Sequence, residues 1–380
     1  MLYCLKDSLY VDTRQRFINI CHFKSVDRPP RWEATMGFMP QTIERWRKEG
    51  LPPHIKTHRD VEEYFGMEPR VFLPVNSGFT RPPFDPPFKK EVLWESGGVV
   101  VFREESGIIC KAYKKPHETA TPGVMWVEHP VKTKEDWEKI KWRLDPDNRR
   151  WPDWKKLREK YDNFPYPLAL TICGAFGFPR CLLGDKRLLL MYYKNPSFVH
   201  EILEYWLELY KKICSVVICN VRVDYILIWE DMAWKKGPFV SPRIFKEFMS
   251  PYYEELISHV KKLGVDIIMV DSDGNLESIL GLFIEAGVNA MMPFEIAAGM
   301  DPLKIRKEYG DSLAIMGGID KRKLVESKKT IEHEVLSKVP RLLEEGGYIP
   351  CVDHNIPPNV SLKNMKHYVS LVRKIVEKPS

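Results

Sequence analysis

Residues 266–275 read "DIIMVDSDGN". Four apolar residues run into Asp271 and Asp273, and a glycine and an asparagine end the run. An apolar stretch of this length closed by turn residues reads as a buried strand. Residues two apart on a strand share a face, so both carboxylates are expected to project together at its end. Two like charges held side by side are costly unless a cation or a proton lies between them.

The neighbouring sequence repeats the pattern. Upstream, "VDYILIWEDMA" (223–233) is another buried run ending in acids, followed by a helical stretch from Ser241, "SPRIFKEFMSPYYEELISHVKKLG", with Gly264 at its end. Downstream come the helix "LESILGLFIEAG" (276–287), the strand "NAMMPFE" (289–295) and the helix "MDPLKIRKEYG" (300–310). In that last helix Asp301 is the expected N-cap, Pro302 the first helical residue and Gly310 the stop. "SLAIMGGID" (312–320) and, after a long helical region, "GGYIPCVDHNIPP" (346–358) supply further strands. "PLALTICGAFGFP" (167–179) and "RPPRWEATMG" (28–37) add two nearer the N-terminus.

Strands alternating with helices of ten or more residues predict βαβ units on a parallel sheet. A (β/α)₈ TIM barrel of the α/β class fits 380 residues better than an open doubly wound sheet, whose first turn would carry a glycine-rich phosphate fingerprint that is not found. The segment "KKEVLWESGGVVVFREESGIICKAYKK" (89–115) breaks the rhythm. Its short β-rich runs, joined at Gly97-Gly98 and near Ser106-Gly107, predict a small β-meander inserted at about 90–115. The expected organisation is one barrel domain over 1–380 with an N-terminal extension at 1–27.

Composition bounds the function. With 44% hydrophobic and 29% charged residues the chain is an ordinary soluble globular protein. Its 58 basic and 52 acidic residues give a net charge of +6 that is spread rather than clustered, which is no nucleic-acid footprint. The opening "MLYCLKDSLYVDTRQRF" mixes charges with apolar residues, unlike a secretory signal. The most apolar stretch, "ICSVVICNVRVDYILIW" (213–229), is broken by Asn220, Arg222 and Asp224, too soon for a membrane span. Eight cysteines without a C-x-x-C pair point to a thiol-reduced, cytoplasmic protein.

In a (β/α)₈ barrel the chemistry lies where strands end. Those positions hold Trp32 with Glu33, Gly174 to Arg180, Glu230 with Asp231, Asp271 with Asp273, Glu295, Asp320, and Cys351 with Asp353 and His354. Such a ring of carboxylates is a cation site or a set of proton-transfer groups. Asp271, Asp273 and His354 have the donor types to hold a divalent metal, zinc being the expected one, with a position open for substrate. Equally, Asp273 or Asn275 could cap the helix beginning near Leu276, and His354 could be a hydrogen-bonded loop histidine. Of Glu230 and Asp231 only one can face the mouth; Glu230 is expected to, with Asp231 pairing a base outside. Cys351 is either a soft ligand or a small apolar residue. The glycines of "GAFGFPR" admit a substrate close to the backbone or form a tight turn that packs Phe176 and Phe178 into the core. The aromatic "WEATMGF", with Trp32 and Phe38, and "GFTRPPFDPPF" read as an apolar lid over the strand ends or as ordinary core.

Seven motifs in order, "RFINICHFKSVDRPPRWE", "GAFGFPRCLLG", "WEDMAWKKGPFVSPRIFKEFMSPYY", "DSDGN", "IEAGVNAMMPFEIAAGMDP", "AIMGGIDKRKL" and "DHNIPPNVSLKNM", together resemble the uroporphyrinogen decarboxylase superfamily over nearly the whole chain. That superfamily is a (β/α)₈ barrel containing a cofactor-free decarboxylase and zinc-dependent methyltransferases that exchange methyl groups with a corrinoid. The decarboxylase carries an arginine-rich stretch near its N-terminus for its substrate's carboxylates; here the matching region reads "RWEATMGFMPQ", with Glu33 where cations are wanted. Methyltransferases acting on coenzyme M use His-x-Cys after the fifth strand and a cysteine after the eighth; this chain has Asp271-x-Asp273 and His354 there. Carboxylates with an imidazole make a harder site than thiolates, suited to an oxygen donor.

The resemblance therefore implies a methyltransferase that takes the methyl group of a small methoxylated, aromatic compound to the Co(I) corrinoid of a separate protein. Asp271, Asp273 and His354 would bind zinc or act as acids, with Glu230 and Glu33 orienting the ether or supplying a proton. Trp32, Phe38, Phe176, Arg180, Asp231, Glu295 and Asp320 would line the substrate. The implied partners are the corrinoid protein and the methoxylated substrate, with no nucleic acid and no membrane; a homodimer is compatible. The alternative is a metal-free decarboxylase of a porphyrinogen or smaller carboxylate, and a third class is a non-catalytic binding barrel.

Overall fold

The computed structural model describes residues 11–34, 36–114 and 124–377. Residues 1–10 of the expected N-terminal extension, Thr35 of the expected first strand and Lys115 at the end of the expected insertion lie outside the described residues.

The first strand, β1 (Val71–Phe72), precedes four that form their own antiparallel sheet: β2 (Glu91–Ser96), β3 (Val99–Arg103), β4 (Ile109–Tyr113) and β5 (Met125–Glu128). Then follow β6 (Leu168–Cys173), β7 (Tyr225–Trp229), the short ribbon β8 (Ala233–Trp234) and β9 (Gly237–Pro238), β10 (Ile268–Asp271), β11 (Ala290–Met292), β12 (Ala314–Ile319) and β13 (Tyr348–Val352). A parallel curled sheet of seven strands runs β1-β6-β7-β10-β11-β12-β13, with helices in the connections. Its long members are buried along their whole length, as a sheet enclosed by helices and filled by its own side chains requires. This is the barrel-like α/β architecture the rhythm predicts, with the antiparallel sheet as the insertion. That sheet gains a fourth strand, β5, beyond the predicted limit.

Two local expectations are corrected. The described residues of "RPPRWEATMG" form no strand. Pro29 and Pro30 bring no N–H to a ladder, and the place between β13 and β1 is taken by irregular backbone: Glu33 O accepts from Val352 N and Arg31 O from Glu68 N, both at 3.1 Å. The helical stretch from Ser241 is two helices, Pro242–Phe248 and Ser250–Lys262, because Pro251 cannot continue the first and instead opens the second. β1 is too short for its sequence, "VF", to carry any periodic signal.

Register sets what faces inward. Ala169 lies level with Tyr225, Met269 with Leu227 and Ala290, and Asp271 with Trp229 and Met292. Ala169, Tyr225, Leu227, Met269, Met292, Met316 and Cys351 form one apolar filling, closed at the N-terminal end of the strands by Phe17 and Ile20 of the helix Thr13–Cys21. Phe17 packs 4.7 Å from the Tyr225 ring, and His22 Nε2 lies 3.0 Å from Asp266 Oδ2 just before β10. The opposite end, where Asp271 emerges, is the mouth. The antiparallel sheet is tied to its rim: Cys110 packs with Cys181, and the Trp126 ring lies between the guanidinium carbons of Arg81 (4.3 Å) and Arg180 (5.4 Å). Among the described residues no helix is long and apolar enough to cross a membrane.

Candidate functional site

Asp271 ends β10 on the face it shares with the interior Met269, and it is buried. Burial pushes its carboxyl up to about 7; Asp273 adds to the rise and Arg70 opposes it. Beyond it the backbone turns. Gly274 sits at φ +83°, and a Cβ there would meet the Ala233 backbone at 2.6 Å, so only glycine lets the β8–β9 ribbon close over the turn. The turn carries Asp273 to His354, whose Nε2 lies 3.2 Å from Asp273 Oδ2. Glu295, after β11, is held by Gly274 N–H (3.1 Å) and by Lys321 Nζ at 3.3 Å.

Asp273, Glu295 and His354 each offer a ligand atom, and these atoms lie within 4.8 Å of one another. The geometry thus groups two of the three residues expected to hold a metal with Glu295, expected only as a substrate contact. Asp271 lies outside that group and below it. A cation fits what is there: two carboxylates and an imidazole are the donors zinc accepts, and Asp273 Oδ1 is buried with no hydrogen-bond partner among the described residues. Burial draws the His354 imidazole down, but the hydrogen bond and charge of Asp273 outweigh it and leave the group above its ordinary value. Asn275, not Asp273, serves the next helix: its Oδ1 accepts from Glu277 N at 3.1 Å.

Glu230 and Asp231 exchange their expected places. Glu230 is enclosed in the core, where its carboxylate accepts from Phe176 N–H (3.0 Å), Gly177 N–H (2.8 Å) and the Tyr253 hydroxyl. Burial raises it to about 8 in spite of those donors. It therefore latches the "GAFGF" turn instead of facing the mouth. Gly174 exists for this latch, since a Cβ there would stand 2.3 Å from the Glu230 carboxyl carbon. The glycines thus serve the tight-turn alternative, and Phe176 and Phe178 are fully buried, Phe176 stacking on Phe239 at 6.1 Å. Asp231 is the residue at the rim. It adopts φ +43°, pairs with Arg180 Nη1 at 3.0 Å, and has its carboxyl raised by burial and by Asp273 against the pull of Arg180.

The remaining candidates are held in structural pairs. Glu33 is buried against Arg373 Nε at 2.6 Å, although its second oxygen, Oε2, has no partner among the described residues. Asp320 is tied to Arg322 of its own loop at 2.7 Å, which holds its carboxyl low against the burial that would raise it. Phe38 packs on Trp46 and His58 and bridges to Ile356. Trp32 lines the interior beside Phe17. Cys351 is fully buried among apolar neighbours, as the apolar alternative has it.

Lys321 and Arg70 escaped the sequence, and Asp353 was placed at a strand end without a role. Asp353 is fully buried and ties the loops after β11 and β12 together by accepting from Ile296 N and Lys321 N, each at 3.0 Å; burial raises it to about 6. Lys321 sits one residue beyond Asp320, so its strand-end position was a signal that could have found it. Arg70, before β1, had no such signal because the strand itself was invisible.

The family model described as Uroporphyrinogen decarboxylase (URO-D) matches residues 123–375, and the chain belongs to that family. It is 26% identical over 189 residues to the uroporphyrinogen decarboxylase of Chlorobium limicola, covering 48% of this chain and 51% of that one. It is 25% identical over 269 residues to the enzyme of the same name from Campylobacter lari, covering 65% and 71%. The chain spans about half the length of curated relatives such as the first. A solved methyltransferase from Methanosarcina mazei shares the fold, with TM-score 0.59 at 17% identity over 96% of this chain and 98% of that one.

Proposed function

We propose that the protein moves a methyl group from a methoxylated aromatic compound to the Co(I) corrinoid of a separate protein. The observation that carries this reading is the Asp273, Glu295 and His354 group at the barrel mouth, with a buried Asp273 oxygen that has no partner among the described residues. When bound there, zinc would supply a Lewis acid for an ether oxygen. The methyl carbon leaves with its bond to oxygen broken and that electron pair kept by the oxygen, so the phenolate product must be stabilised or protonated. Asp271, pushed up to about 7 by burial, can hold the proton that the phenolate takes. Lys321, now paired with Glu295, offsets the acids' charge around the cation. Arg180 fixes Asp231 at the rim, where a second protein must approach.

The test is elemental analysis of protein purified without chelators, together with methyl transfer from methoxylated aromatics to a reduced corrinoid. A metal-free protein that performs the transfer would remove the metal, and absence of transfer with metal bound would remove the reaction.

A second reading, a metal-free decarboxylase, draws on the names of the curated relatives and on Asp271 and Asp353 as carboxyls whose titration burial moves up toward neutral pH. It predicts carbon dioxide release from a porphyrinogen or smaller carboxylate with chelator present.

A further inference from the structure

Beside Met292, which is level with Asp271, lies a cation that the proposed transfer does not use. Phe72 of β1 is level with Ala169, an interior residue, so its ring points into the barrel, and Arg70 two residues earlier shares that face. Phe72 is 40% exposed although it points inward, so a small molecule can reach its ring. The Arg70 guanidinium lies 5.5 Å from the Phe72 ring centroid and 6.0 Å from that of Trp32. Its Nη1 is 3.9 Å from Met292 Sδ, and it also bonds the Tyr225 hydroxyl. Phe79, 5.7 Å from Phe72, extends the aromatic wall. Trp32 is only 3% exposed, yet its indole N–H has no acceptor among the described residues, a costly state for a buried donor.

We infer that Arg70 and the Trp32 indole N–H bind the carboxylate of an aromatic acid, making the methyl donor a methoxylated aromatic carboxylate rather than a neutral ether. A guanidinium fork matches a carboxylate, and Trp32 supplies a further donor beside it. Flat walls at Phe72 and Phe79 suit a ring. Asp271, Asp273 and Glu295 repel a carboxylate, so the ring enters with its acid toward Arg70 and its other substituents toward the acids. The methoxy group rests on the methyl-transfer reading; the carboxylate subsite rests on the cluster of Arg70, Trp32 and Phe72 alone.

Calorimetric titration with benzoate and with neutral anisole tests it, on the wild type and on Arg70→Met and Trp32→Phe. Benzoate is expected to bind the wild type more tightly than anisole, at least about tenfold more weakly to Arg70→Met, and several-fold more weakly to Trp32→Phe, which keeps the ring and loses the N–H. Melting curves report whether each variant folds; if Arg70→Met does not, Trp32→Phe carries the test. Absence of benzoate binding, equal binding of anisole, or unchanged affinity in the folded variants would overturn the subsite. Transfer from 3-methoxybenzoate that is unchanged in folded Arg70→Met would sink the subsite and leave the methyl-transfer reading standing. Arg70-dependent benzoate binding with no transfer from 3-methoxybenzoate would do the reverse.

Discussion

His354 Nε2 stands 3.2 Å from Asp273 Oδ2, while the other oxygen of the same aspartate is buried without a partner among the described residues. A histidine and an aspartate from the ends of two different strands thus meet with donor capacity left over. Burying a polar oxygen without compensation is unfavourable, so the arrangement is more stable with a cation than without one.

Removing a ligand should lower metal occupancy in proportion to its place in the group. Asp273→Asn, Glu295→Gln and His354→Gln are each expected to weaken zinc affinity by about 10–100-fold or more. Asp271→Asn lies outside the group and should keep its metal while losing most of the transfer rate, because the proton it holds is gone. Elemental analysis of the four proteins beside their transfer rates checks this, and full metal in all three ligand variants would end the assignment.

The two residues that could have capped the helix after β10 are separated by stability alone. Asn275 Oδ1 accepts from Glu277 N, and its Nδ2 donates to Ala298 O at 3.0 Å. Asn275→Ala loses both bonds and should therefore cost roughly 0.5–1.5 kcal/mol for each. Asp273→Ala, in metal-free protein, should cost little or even stabilise, since it relieves repulsion felt by Asp271 and Asp231. Urea unfolding of both variants gives the two numbers, and reversed signs would return Asp273 to a capping role.

What was legible in the chain follows from how local its cause is. The run "DIIMV" and its neighbours declare a parallel barrel because burial on both faces forces continuous apolar runs. Asp301 and Gly310 declare a helix because caps act on the nearest backbone, and Asp301 does accept from Leu303 N. Glu230 against Asp231 was not legible, because the strand ends at Trp229 and strand alternation no longer governs the next residue once Asp231 turns to φ +43°. Glu295 in place of Asp271 was not legible either: it depends on Gly274 letting the chain turn under the β8–β9 ribbon, a contact between segments about 40 residues apart. Arg70 was hidden because two residues of strand carry no period.

Gly174→Ala should destabilise by about 1–3 kcal/mol, the range for forcing extra volume into a packed site. The added Cβ would stand 2.6 Å from Glu230 Oε2 and 2.7 Å from Oε1, and the carboxylate cannot retreat without leaving the Phe176 and Gly177 N–H groups orphaned. The cost should shrink when Glu230 is also truncated to alanine, so the double-mutant cycle should show coupling of about 0.5–3 kcal/mol. Additive single-mutant effects would mean that the glycine is there for another reason.

The latch itself should make stability depend on pH in an unusual direction. Burial raises Glu230 from the ordinary value of 4.5 to about 8, so between those limits the folded chain holds a proton that the unfolded chain has released. Stability from this group is therefore highest below the unfolded value and falls as pH rises toward about 8, with a slope of up to ~1.4 kcal/mol per pH unit. Glu230→Gln cannot titrate. It still offers one carbonyl oxygen to the turn, but its amide N–H₂ faces a backbone donor, which adds a fixed penalty at every pH. The readout is thus the slope of the difference and not its size. Measured by urea unfolding at pH 5, 6, 7 and 8, the variant should gain on the wild type at each step, and other titrating groups cancel because both proteins share them. Were the difference constant over that range, Glu230 would be ionised in the fold like any exposed glutamate, and the Tyr253 and Phe176 hydrogen bonds would have to outweigh its burial.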